Sequence, residues 1–318
     1  MKTQLPEGIS VRVRVPASSA NLGPGFDCLG IALGIYDELA AESTAGGIVV
    51  DVRGEAADDV PRDETHLVAR AVLRGLDHAG VTAAGLTLDC TNVIPHSRGL
   101  GSSAAAAVSG LAAASGLVVA AGIRDEFSTE EMVQLSAEFE GHPDNAAASV
   151  MGSAVVTWTE CAADSPGRGG DDAATTTYAA RRLTVHPDIA ATVFVPSTES
   201  STSYTRGLLP DWVPRSDAIF NVSRAALAVV GLTSDPSCLL PATDDRLHQG
   251  YRASAMPQTA ELVALLRRRG HAATVSGAGP TVLVLGAGPL VDDDLDAARA
   301  LGFVPQRVDI AGGVEISR

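Results

Sequence analysis

The sequence predicts an α+β fold, on three observations. Segments of strand period and segments of helical period are interspersed, but not in strict strand–helix–strand alternation, which disfavours a doubly wound parallel sheet. The chain has 318 residues, 46% of them apolar and 19% charged, enough for a real core and a comfortable length for two domains. One stretch, Thr159 to Arg182, mixes Ala, Asp, Gly, Thr and Pro with no period, as a domain connection would. The boundary is therefore expected near that stretch, with domains over 1–165 and 166–318.

Val11, Val13 and Val15 alternate with Arg12 and Arg14 and read as a half-buried strand. Ile48 to Val52 reads as a second. Over Glu64 to Ala79, Leu67, Val68, Ala71, Val72 and Leu76 recur at helical spacing, and Gly80 stands where a helix would stop. Leu86, Leu88 and Cys90 predict a strand leading into a Gly-rich turn, and the alanine-rich run Ser102 to Ala121 a buried helix. Ser128 and Glu131 form a capping-box pattern for a helix to about Glu140, ended by Gly141. Beyond the loose stretch come a strand (Thr192 to Val195), a helix from Ser216 and a helix from Pro257 to Arg269. A strand–turn–strand around Gly277 and a helix opened by Asp292 to Asp294 complete the pattern. No internal repeat is visible.

The charge composition excludes several functions. Lys2 is the sole lysine among 23 basic residues, against 38 acidic ones, for a net charge of −15. A P-loop NTPase, a protein kinase and a pyridoxal enzyme each need a lysine in the site. The acidity also disfavours nucleic acid as a partner, although a local cluster of arginines suffices for a small anion. No apolar run approaches the roughly 20 residues of a membrane span. Met1 to Ser10 lack the features of a signal peptide, and a cytoplasmic location is expected. Cys28, Cys90, Cys161 and Cys238 match no metal-ligand spacing and read as free thiols.

Three glycine-rich segments carry the chemistry. Pro16 to Asp27 follows a strand and presents Asn21 and Asp27; a plain surface turn remains open for it. Pro95-His96-Ser97-Arg98-Gly99-Leu100-Gly101-Ser102-Ser103-Ala104-Ala105 lies between a strand and a long helix. Glycines there admit a ligand close to the backbone, and free N–H groups at a helix start favour an anion without needing lysine. Ser276-Gly277-Ala278-Gly279-Pro280-Thr281 alone would be a hairpin turn.

In this order and spacing the three segments resemble the GHMP kinases, whose phosphate loop Pro-x-x-x-Gly-Leu-Gly-Ser-Ser-Ala-Ala is matched by Pro95 to Ala105 at every fixed position. Pro16 to Leu33, Glu140 to Asn145, Ser201 to Arg206 and Leu247 to Arg252 resemble the homoserine kinase branch, over about residues 11 to 286. The resemblance implies a ribosomal-S5-like N-terminal domain and a ferredoxin-like C-terminal domain. It implies ATP and Mg²⁺ as cofactors and L-homoserine as substrate, in threonine biosynthesis. Members of the branch often form homodimers, although no segment identifies an interface.

By the same resemblance Arg206 and Arg252 would hold the substrate carboxylate, for which a planar guanidinium fork is suited. Asp27 would take the ammonium or the hydroxyl end, and Asn21 and Asn145 would orient the substrate, with Thr202 and His142 as further candidates. ATP phosphates would rest on Pro95 to Ala105, supported from across the cleft by Ser276, Gly277, Ala278 and Gly279. Ser103 and Glu138 would bind Mg²⁺, with Glu140 as the alternative. Asn145, Asp27 and Glu138 stand at the reacting end. Phosphoryl transfer is governed by alignment and charge stabilisation, so no dedicated side-chain base is expected. An isoprenoid-precursor kinase of the same fold is the alternative; its substrate would leave Asp27 without an ammonium.

Overall fold

The computed structural model describes residues 2–161, 176–199 and 205–318. Its largest element is a seven-stranded sheet. In chain order, β1 (Thr3–Gln4) is a short outlier, and β2 (Ser10–Asn21) turns tightly into β3 (Gly25–Thr44), which continues to β4 (Gly47–Gly54). Helix α1 (Leu67–His78) follows, then β5 (Val81–Thr82), which pairs with β1, and β6 (Gly85–Asn92). The strand order is β13-β2-β3-β6-β4, where β13 is Glu315–Ser317 near the end of the chain, and β3 is long enough to pair β6 along one part and β7 (Ala154–Cys161) along another.

Helices α2 (Ser102–Ala120), α3 (Thr129–Glu140) and α4 (Asp144–Met151) come between β6 and β7. Helix α2 packs on α1 and on the sheet, with residues such as Leu111, Leu117 and Val118 wholly buried. It is apolar on all sides because it is a core helix, the reading its mostly buried surface supports over a membrane span. The capping box is present as expected: Ser128 Oγ accepts the Glu131 N–H and Glu131 accepts the Ser128 N–H. Gly141 ends α3 at φ 80°.

The second half carries β8 (Thr176–Leu183), β9 (Ala190–Pro196), α5 (Arg215–Thr233), α6 (Leu239–Ala242), α7 (Gln249–Arg252), α8 (Pro257–Arg268), β10 (Ala272–Val275), β11 (Val282–Gly286), α9 (Asp292–Ala300), β12 (Phe303–Val308) and β13 (Glu315–Ser317). Strands β9 to β12 form an antiparallel sheet in the order β10-β11-β9-β12, with α8 and α9 in its two connections. A βαββαβ sequence in that strand order is the ferredoxin-like arrangement. The whole chain is α+β.

Three expectations change. The Pro16–Asp27 segment is mostly strand: β2 runs to Asn21 and only the residues around Leu22–Pro24 turn. Its serines and alanines are turn-tolerant by composition, but Ser18 and Ser19 are fully buried in the sheet. Thr159–Arg182 was expected as a loose connection, yet Thr159–Cys161 end β7 and Thr176–Arg182 lie in β8, paired antiparallel. Residues 162–175 lie outside the described residues. The chain leaves the large sheet only after Leu183, past the 165/166 point, and returns to it with β13 on β2.

Candidate active site

The phosphate loop is built by docking three chain segments. Arg98 bonds the carbonyls of Pro196 (Nε, 3.0 Å), His96 (Nη1, 2.8 Å) and Ser197 (Nη2, 3.1 Å), fastening the loop to the end of β9. The Ser276–Thr281 turn braces the loop from the other side. Ser276 Oγ donates to the Gly99 carbonyl at 2.6 Å and lies 2.8 Å from Ser19 Oγ. The Gly277 N–H bonds the Ala20 carbonyl at 3.1 Å. Gly101 takes φ 71° as the cap residue of α2, so the first-turn N–H groups open toward the loop; that of Ala105 already bonds Gly101.

A cleft of about 380 Å³ lies over this loop. It is lined by His96, Ser97, Arg98, Gly99, Gly101, Ser102 and Ser103, with Gly277 and Ala278 of the bracing turn. Pro95, Leu100, Ala104 and Ala105 do not line it; Leu100 and both alanines are fully buried and anchor the loop in the core. The substrate candidates Asn21, Asp27, His142, Asn145, Arg206 and Arg252 do line it. Thr202 lies outside the described residues.

Their chemistry differs from residue to residue. Arg206 makes a bidentate pair with Asp27, Nη1–Oδ2 at 3.0 Å and Nη2–Oδ1 at 2.8 Å, both side chains part-exposed. Arg252 is 1% exposed and donates to the Thr205 carbonyl (Nε, 3.2 Å) and toward His248 Nδ1 (Nη1, 3.2 Å). It is thus also a packing residue, and its removal would disturb the fold as well as the site. Asn21 was expected to bond substrate, but both ends of its amide are engaged: Nδ2 donates to the Gly277 carbonyl at 2.8 Å and Oδ1 accepts the Asp27 N–H at 3.0 Å. Its φ of 71° turns the backbone from β2 into the turn. Asn145, in the first turn of α4, accepts Ser18 Oγ–H at 3.0 Å through Oδ1. His142 donates from Nδ1 to the buried Asp144 carboxylate at 2.9 Å. Burial alone would lower the His142 pKa, but the hydrogen bond and charge of Asp144, with Glu140 and Asp27 nearby, together outweigh it and raise the pKa above the ordinary histidine value.

Glu138 does not reach the cleft. It pairs with Arg74 at 3.0 Å and accepts from Gln134 Nε2 at 3.2 Å, facing α1. Glu140 does reach it, and accepts the Ser103 hydroxyl proton. Two positions along a helix rotate a side chain by about 200°, which places the two carboxylates on opposite sides of α3.

A second cavity of about 250 Å³ joins the loop at His96, Ser102 and Ser103. Leu39, Val60, Pro61, Val68, Cys90 and Ile94 give it apolar walls. Asp37 on β3 stands in it and accepts the N–H groups of Val93 (2.6 Å) and Ile94 (2.8 Å), tying the approach to the phosphate loop to the sheet. Burial pushes its pKa up to about 6. Sequence reasoning missed Asp37, Phe26 and His248, since each acts through a partner distant in sequence. It also missed Asp144, whose partners His142 and Asn145 are close by, because the segment was read for its other side chains.

The family model for the GHMP kinases N terminal domain matches residues 66–153 and that for the GHMP kinases C terminal domain residues 233–309. A homoserine kinase of Rhodococcus erythropolis is 56% identical over 317 residues, covering 100% of this chain and 99% of the relative. One of Mycobacterium tuberculosis is 50% identical over 314 residues, covering 98% and 96%. The solved structure of a putative homoserine kinase from Listeria monocytogenes superposes with a TM-score of 0.70 at 31% identity, over 97% of this chain and 99% of that one. A homoserine kinase from Cytophaga hutchinsonii has a TM-score of 0.80 over 97% and 98%; at 23% identity that likeness speaks for the fold alone.

Proposed function

The chain belongs to the homoserine kinases of the GHMP kinase family, and from that premise we propose that its cleft transfers the γ-phosphoryl group of ATP to the side-chain hydroxyl of L-homoserine. One observation carries the substrate assignment: Asp27 and Arg206 face each other across the mouth of the phosphate-loop cleft. A zwitterion exchanges that internal pair for two new ones, its ammonium on Asp27 and its carboxylate on Arg206 and Arg252. An isoprenoid alcohol satisfies only one of the two charges, so the alternative substrate class is disfavoured. The product feeds threonine biosynthesis.

ATP would lay its phosphates on the N–H groups of Gly99 to Ser103 at the start of α2, where the helix dipole favours negative charge. The apolar cavity behind His96 and Ser102 would take the nucleoside. Ser103 and Glu140 fit Mg²⁺: a hydroxyl and a carboxylate oxygen are hard donors already in contact. Among the described residues no group of three His, Cys, Asp or Glu could cage an ion, so phosphate and water oxygens would complete the shell. Bound there, the ion would neutralise charge on the phosphate oxygens.

The residues' own part is alignment. Asp27, Arg206 and Arg252 hold the amino-acid end. Asn145, with Oδ1 fixed by Ser18, directs its amide toward the reacting hydroxyl. The loose transition state places charge on the γ-phosphoryl oxygens, where the loop N–H groups stabilise it, and no side-chain base is required. Asn145→Ala is expected to lower kcat about tenfold, the worth of one hydrogen bond. A loss of several orders in kcat at unchanged homoserine KM would show instead that this position acts as a base would.

Cys28, Cys90 and Cys238 are free thiols, which suits a reducing compartment, and we assign the enzyme to the cytoplasm. The deciding test is ADP release with ATP, Mg²⁺ and a panel of L-homoserine, mevalonate and galactose. Turnover of homoserine alone is expected; turnover of mevalonate without homoserine overturns the reading.

A further inference from the structure

We infer that His248 is a positioning residue that aims Arg252 at the substrate carboxylate. The inference rests on the reading of Arg252 as a carboxylate ligand. His248 is fully buried and lies between the two halves of the substrate site. Its Nε2 is 2.7 Å from the Gly23 carbonyl; a carbonyl only accepts, so Nε2 carries the proton. Its Nδ1 is 3.2 Å from Arg252 Nη1; a guanidinium only donates, so Nδ1 is bare. The imidazole is therefore neutral, in one tautomer, with both nitrogens engaged. Burial, with Arg252 beside it, holds its pKa below the ordinary histidine value against the opposing pull of Asp245.

The two bonds connect separate pieces of the site. Gly23 lies in the turn between Asn21 and Asp27, which Asn21 already fixes through the Gly277 carbonyl and the Asp27 N–H, so the Nε2 bond is one of several on that turn. Nδ1 holds the guanidinium. Phe26 packs 5.4 Å from the imidazole, and the guanidinium carbons of Arg206 and Arg252 each lie 5.5 Å from its ring centre. Arg252 Nε is taken by the Thr205 carbonyl, and Nη1 by His248 and, at 3.5 Å, by the Gly277 carbonyl. Among the described residues Nη2 has no protein partner. The direction of that nitrogen is set by the bonds on the other two, and His248 supplies the one that comes from a side chain.

Two isosteric variants separate the bonds. His248→Asn retains an acceptor near the Nδ1 position and loses the donor to Gly23; His248→Gln retains a donor near Nε2 and loses the acceptor for Arg252. His248→Gln is expected to raise the homoserine KM about tenfold, with ATP KM and Tm near wild type, and His248→Asn to stay within about threefold. In an Arg252→Lys background, His248→Gln is expected to add less than about twofold, because the partner it orients is gone. An unchanged homoserine KM in His248→Gln overturns the inference. So do equal effects of the two variants, or effects that multiply with Arg252→Lys. If Arg252→Lys and Arg206→Lys both leave the homoserine KM unchanged, it is the assignment of the carboxylate site that fails.

Discussion

Glu140→Ala is expected to lower kcat by about 10²- to 10³-fold at saturating ATP and homoserine, the range seen when one charge-stabilising contact is removed from a transition state. Glu138→Ala is expected to stay within about threefold. The two carboxylates are two residues apart in the last turns of α3, and their environments divide them. Glu138 is held by Arg74 and Gln134 on the α1 side, a part-exposed arrangement worth little to stability. Glu140 takes the Ser103 hydroxyl at the start of α2, beside the loop that would carry the phosphates. Steady-state kinetics against Mg²⁺ concentration checks the assignment: Glu140→Ala should also raise the Mg²⁺ needed for half-maximal rate. A larger loss in Glu138→Ala than in Glu140→Ala would overturn it.

That pair also shows where a sequence stops being legible. Counting along the chain finds a glutamate on the right helix. Choosing between Glu138 and Glu140 needs the rotation of α3 about its axis, which is set by how Met132, Val133 and Leu135 pack. The strong local signals were readable. The Ser128–Glu131 box, the alternation of Val11 to Val15 and the Gly99–Ser103 loop each specify their own geometry, and all three appear in the structure. Helix α4 was not readable, because its eight residues, Asp144 to Met151, sit within a motif read for its side chains. Nor was β3, since Gly25, Gly30 and Gly34 interrupt any strand pattern. Asn21 is the instructive site residue. Its place in the segment was right, but its amide is spent on Gly277 and Asp27, and only the return of the distant Ser276–Thr281 turn makes that so.

Gly99→Ala is expected to raise the ATP KM more than tenfold and to lower stability by about 2–4 kcal/mol, through backbone strain and a forced displacement. Gly99 has φ 74°, and a Cβ there would sit 2.3 Å from the Ser276 carbonyl oxygen and 2.8 Å from that of Gly279. Both are backbone atoms, so neither can swing aside as a side chain would. The bracing turn is tied back to Ala20, Asn21 and Arg98, and moving it would drag the segment that bears Asp27, the proposed ammonium partner. One methyl group should therefore loosen the phosphate loop and the amino-acid end together, raising the homoserine KM as well. Gly277→Ala is the matched control. Gly277 also has positive φ, 56°, but its Cβ would meet the Gly99 carbonyl oxygen at 3.4 Å, an ordinary contact. It should cost only the left-handed strain, about 1–2 kcal/mol, with ATP KM within about threefold. Thermal unfolding and paired KM measurements on both variants distinguish the two effects. Equal ATP KM in the two would mean that strain, not the close docking of loop on turn, governs the nucleotide site.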